Sequence, residues 1–140
     1  MAVNTNKRVP VKHIRDGAKS AYDKKSECYI CNTKYELELH HTHSLTLLLE
    51  RWAARKGYAL STDEEVLAVR DEFIQEHKLE LYEAVYTLCA THHRKLHSIY
   101  GKAPPLNSAD KQAKWVEIQK SKHDGTYVAP STSLFGAFTS

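Results

Sequence analysis

Histidine and cysteine are the residues in this 140-residue chain whose number and spacing could do chemistry, nine of one and three of the other. Six histidines fall in two clusters, His40, His41 and His43, then His92, His93 and His97. Cys28 and Cys31 form a C-x-x-C, and Cys89 begins a C-x-x-H that ends on His92. Two intervening residues let a tight turn aim both side chains at one ion. Cys28, Cys31, Cys89 and His92 therefore make a Cys3His set, the ligand count of a closed structural zinc site. A redox C-x-x-C would need a thioredoxin-like βαβ setting, which Cys-Tyr-Ile-Cys does not precede. Three cysteines cannot pair off completely, which speaks against a disulfide framework, and reduced thiolates imply a cytoplasmic setting.

His93 and His97 are four residues apart, so on a helix both imidazoles lie on one face and can share a metal. A zinc tying 28–31 to 89–92 would also draw in residues 40–43, since eight residues separate Cys31 from His40. The expected second site holds His40, His41, His93 and His97: three ligands and one spare imidazole. A metal there could polarise a phosphate oxygen and stabilise a leaving oxyanion, while a neutral histidine deprotonates water. Imidazole suits that task because its unperturbed pKa lies near working pH.

These groups need elements to hold them. Residues 27–41 read as a zinc knuckle and a short hairpin, with Tyr29, Tyr35, Leu37 and Leu39 as strand positions and Asn32-Thr33-Lys34 as the turn. Ser44 caps a predicted helix through Leu45, Leu48, Leu49 and Trp52, which ends at Gly57. Thr62 and Glu65 form a capping box for a second helix, with Val66, Val69, Phe73, Ile74 and Leu81 as its apolar face. A third helix is expected from His92 or His93 to Tyr100, and a fourth over 108–122 with Trp115 and Ile118 inward. His13, His77 and His123 lack metal-spaced partners and read as surface residues, His43 as a loop residue. Glu38 reads either as a brace for the site from the strand before His40 or as an exposed strand carboxylate.

Net charge is +3, unevenly spread. Residues 1–25 carry +5, residues 63–83 carry −6 and residues 92–122 carry +5. Two basic regions flanking an acidic helix point to a polyanion-facing surface, with Lys7, Arg8, Lys12, Arg15, Arg94 and Lys95 as nucleic-acid-binding candidates. The run Leu45–Leu49 is too short to span a bilayer, and the N-terminus lacks the apolar stretch of a signal peptide, so a membrane partner is not expected. The expected organisation is a basic arm over 1–26, a domain over 27–122 with a helical insertion at about 44–83, and a flexible Ser/Thr/Gly-rich tail over 123–140. Leu134, Phe135 and Phe138 in that tail are candidate contacts for a replication or packaging protein.

Leu-Glu-Leu-His-His (37–41), the upstream C-x-x-C, and L-C-x-x-H-H-x-x-x-H (88–97) resemble the HNH endonucleases of the His-Me finger class, especially the small HNH proteins of tailed phages. The resemblance covers residues 27–100. It implies an α+β fold, a zinc-bound ββα-metal element with a mostly helical insertion and flanking helices. It also implies a metal-dependent endonuclease that cleaves double-stranded DNA, encoded by a phage and acting in the host cytoplasm. His41 falls on the general base, and His40, His93 and His97 on the ligands of a catalytic divalent ion such as Mg2+ or Mn2+. Four cysteines usually hold the structural zinc, and His92 replaces the last. The middle Asn of the family motif, which orients the base, falls on Ala84, so a backbone carbonyl or a neighbour such as Glu83 must substitute. The 47 residues between His41 and Cys89 exceed the usual stretch. The competing reading is a zinc-folded DNA-binding module with weak or no catalysis. A purely structural protein with two zincs is a third. Oligomeric state, and with it nicking against double-strand cleavage, is open at this point.

Overall fold

A computed structural model describes residues 8–129. The architecture is α+β: among the described residues, one two-stranded antiparallel sheet lies among five α-helices. Strand β1 (Leu37–His41) pairs with β2 (Val85–Cys89), Leu37 opposite Cys89 and His41 opposite Val85. This corrects the expected local hairpin. Asn32 takes a left-handed conformation at φ 62°, and the turn closes on itself through Cys28 N–H to Thr33 O (2.8 Å) and Asn32 N–H to Cys28 O (2.9 Å). The resulting knuckle docks on β2 through Tyr29 N–H to Thr87 O at 2.8 Å, so the strand partner of β1 comes from the far side of the 47-residue excursion.

Helix α1 (Arg8–Ala18) falls within the segment read as a basic arm. Its buried Val11, Ile14 and Ala18 recur at helical spacing, and that stripe docks the basic segment on the protein. It joins the core of α2 (Leu45–Lys56) and α3 (Asp63–Glu76), built from Leu45, Leu49, Trp52, Val66 and Phe73. Ser44 caps α2 and Gly57 ends it at φ 74°, while Thr62 and Glu65 form the expected capping box on α3. His77 is buried rather than at the surface. Its ring stacks on Phe73 at 4.1 Å, and its Nδ1 meets the Phe73 carbonyl at 2.8 Å, which compensates the loss of water.

After α3 a π-helical turn (Leu79–Glu83) buries Leu81 and leads into β2. Helix α4 (Ala90–Tyr100) begins directly after β2, two residues earlier than expected, so His92 and His93 lie in its first turn. Helix α5 (Ala109–Asp124) closes the other face. Its fully inward stripe is Ala109, Gln112 and Val116, whereas Trp115 and Ile118 are half-buried. Val116 joins a second core cluster with Cys28, Ile30, Leu88, Cys89 and Leu96. Lys7, the side chain of Arg8 and the tail positions Leu134, Phe135 and Phe138 lie outside the described residues. No described helix is long and apolar enough to cross a membrane.

Candidate functional site

The knuckle and the first turn of α4 bring Cys28, Cys31, Cys89 and His92 together, their donor atoms all within 4.8 Å of one another. Cys31 Sγ lies 3.9 Å from Cys89 Sγ, and His92 Nδ1 lies 3.3 Å from Cys89 Sγ and 4.0 Å from Cys28 Sγ. Burial pushes the Cys28 thiol up, but backbone N–H groups of Cys31, Cys89 and Ile30 outweigh it and hold the group below its ordinary value, favouring thiolate. Burial raises the more peripheral Cys31 to about 11.

The second cluster is His40 of β1 with His93 and His97 of α4, again within 4.8 Å. His93 Nε2 is 3.0 Å from His40 Nδ1 and 3.1 Å from His97 Nε2. The opposite nitrogen of each ring faces an acceptor. His40 Nε2 meets Gln112 Oε1 at 2.8 Å, His93 Nδ1 meets Glu38 Oε1 at 2.6 Å, and His97 Nδ1 meets the Gly101 carbonyl at 2.7 Å. An acceptor demands an N–H on the nitrogen it faces. With one ring proton each, on the nitrogen facing the acceptor, the three rings would direct lone pairs towards one another, as outer hydrogen bonds do for metal-ligating histidines.

His41 follows His40 as the last residue of β1 and takes different partners. Its Nε2 donates to the Leu81 carbonyl of the π-helical turn at 3.1 Å, and its ring lies against Tyr22, centroids 5.2 Å apart. That leaves Nδ1 without the proton. Ala84, where the resemblance expects an orienting Asn, offers no such side chain, and His41 instead meets the Leu81 carbonyl three residues upstream. Burial lowers His40 to about 3 and His41 to about 4, so both are neutral at working pH.

Buried neutral histidine carries a stability signature. Below about pH 6.5 the unfolded chain protonates His41 while the folded chain does not until about pH 4. The stabilisation is complete above the unfolded value and is lost as pH falls towards the folded one. His41→Gln does not titrate. From pH 7 to 5.5, with one equivalent of zinc, urea unfolding should show wild type losing roughly 1–2 kcal/mol more than this variant. Equal slopes would refute neutral burial.

A cavity of about 560 Å³ opens over His40, His41, His93 and His97, with Arg15 of α1 and Lys102 after α4 on its wall. Arg15 was expected from charge. Lys102 was not singled out, nor were Gln112, Tyr22 and the Leu81 carbonyl. Lys12 is exposed and paired with Asp16 at 3.3 Å. Arg94 and Lys95 are exposed on α4 and do not line the cavity. His43 points instead into a separate cavity with Thr42 and Ala84.

The family model of the phage T5 nicking endonucleases matches residues 1–128. The chain belongs to the nicking endonuclease family. Membership supports a phage nuclease, and the match runs through both histidine clusters and the basic helix α1. No solved structure matches the chain. For a nicking endonuclease, a cavity joining clustered imidazoles to two cationic side chains offers proton transfer and phosphate binding in one place.

Proposed function

We propose that this protein is a metal-dependent DNA nicking endonuclease of the HNH type, with the three-histidine cluster holding the catalytic ion and His41 as general base. The observation that carries the reading is the convergence of the three inward nitrogens beside an oriented, neutral His41. A cis pair of ligand nitrogens around an ion at ~2.1 Å is separated by ~3.0–3.4 Å in octahedral or tetrahedral geometry, and the observed 3.0 and 3.1 Å fit. A divalent ion held there would polarise a non-bridging phosphate oxygen and stabilise the leaving alkoxide. His41 Nδ1 takes the proton from water, the resulting hydroxide attacks phosphorus, and one P–O ester bond breaks. Arg15 and Lys102 hold the flanking backbone phosphates. The exposed Arg94, Lys95 and Lys12 are proposed as further phosphate contacts, and Lys7 and Arg8 are proposed from their charge alone.

Zinc is the proposed occupant of the Cys3His group. Tetrahedral Zn–S bonds of ~2.3 Å place two sulfurs ~3.8 Å apart, close to the 3.9 Å between Cys31 and Cys89. One three-histidine cluster among the described residues would serve one strand at a time, which is consistent with the family's nicking character.

Supercoiled plasmid incubated with Mg2+, Mn2+ or Ni2+ tests the reading. Open-circular DNA should accumulate ahead of linear DNA. The imidazole ligand set favours borderline transition ions, so Mn2+ or Ni2+ should act at lower concentration than Mg2+. If no DNA form is cut with any of the three ions, the enzymatic reading is wrong. Arg15→Ala and Lys102→Ala should each reduce the log–log salt slope of DNA binding by about one. A slope unchanged in both variants would remove these residues from the interface.

A further inference from the structure

Gln112 is fully buried on α5, 72 positions from His40 in sequence, and nothing in the HNH motif includes it. Its amide orientation follows from its partners. One end of the amide lies 2.9 Å from the Thr42 carbonyl and 2.9 Å from Ser108 Oγ. A carbonyl only accepts, so the Nε2 end of the amide must face Thr42, and the Oε1 end must face His40. Oε1 then accepts from His40 Nε2 at 2.8 Å, which places the ring proton on Nε2 and the lone pair on Nδ1.

The alternative tautomer has a ready partner. With its proton on Nδ1, His40 would donate to His93 Nε2, 3.0 Å away. That hydrogen bond would occupy two of the three inward lone pairs and turn the ligand cluster into a closed histidine pair. His93 and His97 take their acceptors from an exposed carboxylate and an exposed loop carbonyl, where water can stand in. His40 takes its acceptor from a fully buried side chain instead, so losing Gln112 would leave a buried N–H without that partner.

We propose that Gln112 is a positioning residue that selects the Nε2–H tautomer of His40 and so keeps the three-histidine cluster open to a metal ion. The inference rests on the proposed metal role of that cluster. Gln112→Leu removes the acceptor at similar volume and releases the ring to hydrogen-bond His93. Gln112→Glu, neutral when buried, can present a carbonyl oxygen to His40 and an O–H to Thr42, and so preserves the pattern.

The experiment combines Ni2+ titration calorimetry on the zinc-loaded full chain with ¹⁵N-detected assignment of the His40 tautomer before Ni2+ is added. Wild type should bind one Ni2+ and show His40 protonated at Nε2. Gln112→Leu should bind Ni2+ about 10- to 100-fold more weakly, the usual loss on removing an outer hydrogen bond from a ligand, with its zinc content unchanged. Gln112→Glu should regain most of the affinity. Equal Ni2+ affinity in wild type and the Leu variant would overturn the inference and leave the nuclease reading standing. Wild type that binds no Ni2+ beyond the cysteine site would overturn both. If the Leu variant does not fold, the wild-type tautomer decides, and a proton on His40 Nδ1 would refute the proposal.

Discussion

His41→Ala should lower plasmid nicking by about 10²- to 10⁴-fold, the usual contribution of a positioned general base, while the fold and DNA affinity persist. The expectation comes from how little else His41 does. Its ring touches Tyr22 and one backbone carbonyl, it is not among the three converging histidines, and its removal leaves every residue of both candidate metal groups in place. Single-turnover nicking at saturating protein isolates the chemical step from binding. Retention of wild-type rate by a folded variant would assign the proton transfer elsewhere. A small added imidazole should restore part of the activity, because the vacated space adjoins the open cavity over the histidines. Loss of DNA affinity in parallel with rate would instead make His41 a binding residue.

Removing the knuckle metal should have the largest effect on stability. The hydrophobic cluster around it holds Cys28, Ile30, Leu88, Cys89, Leu96 and Val116, so two of its six buried members are proposed ligands. Such a cluster is too small to order the knuckle, β2 and α4 alone, and structural zinc commonly contributes about 10–16 kcal/mol of apparent binding energy at neutral pH. Chelation, or Cys28→Ala, should therefore unfold the knuckle and β1–β2 and release the α4 histidines from His40. Far-ultraviolet circular dichroism should show helix and strand loss, nicking should disappear, and one equivalent of zinc should restore both in the wild type alone. An unfolding midpoint that survives chelation unchanged would mean that this group is not structural. The acidic helix α3 and its neighbours have their own core around Trp52 and Phe73, so part of the helical signal should persist.

The two groups that could hold a metal were legible because ligand chemistry restricts both residue type and spacing: C-x-x-C, C-x-x-H and an i, i+4 histidine pair leave few arrangements. Caps were legible for a similar reason, as Ser44, Gly57 and the Thr62–Glu65 box each answer a local backbone need. The strand pairing was not. Asn32-Thr33-Lys34 carries turn chemistry, and a local rule turns it into a hairpin, but the C-x-x-C turn absorbed it and left β1 to find β2 across the chain. Helix α1 was hidden by its charge, although Val11, Ile14 and Ala18 stood at helical spacing throughout. Gln112 had no sequence signal, because one amide on a polar helix announces neither its burial nor its distant partner. The family model reaches residue 128 and so includes α5, whereas the HNH resemblance stopped at residue 100.

The contact between His41 and the Leu81 carbonyl bears on how this site can evolve. An Asn that orients a base can be deleted by one codon change, and activity falls with it. A main-chain oxygen survives every substitution at its own position, so changes at residue 81 act only through packing of the fully buried leucine. Random mutagenesis should consequently find the turn that holds the base tolerant of polar and apolar exchanges at exposed Leu79 and Glu83, and sensitive to insertions or deletions that shift the carbonyl along the chain. The orientation of the proposed base would then be inherited through the length of a loop rather than through the identity of a residue.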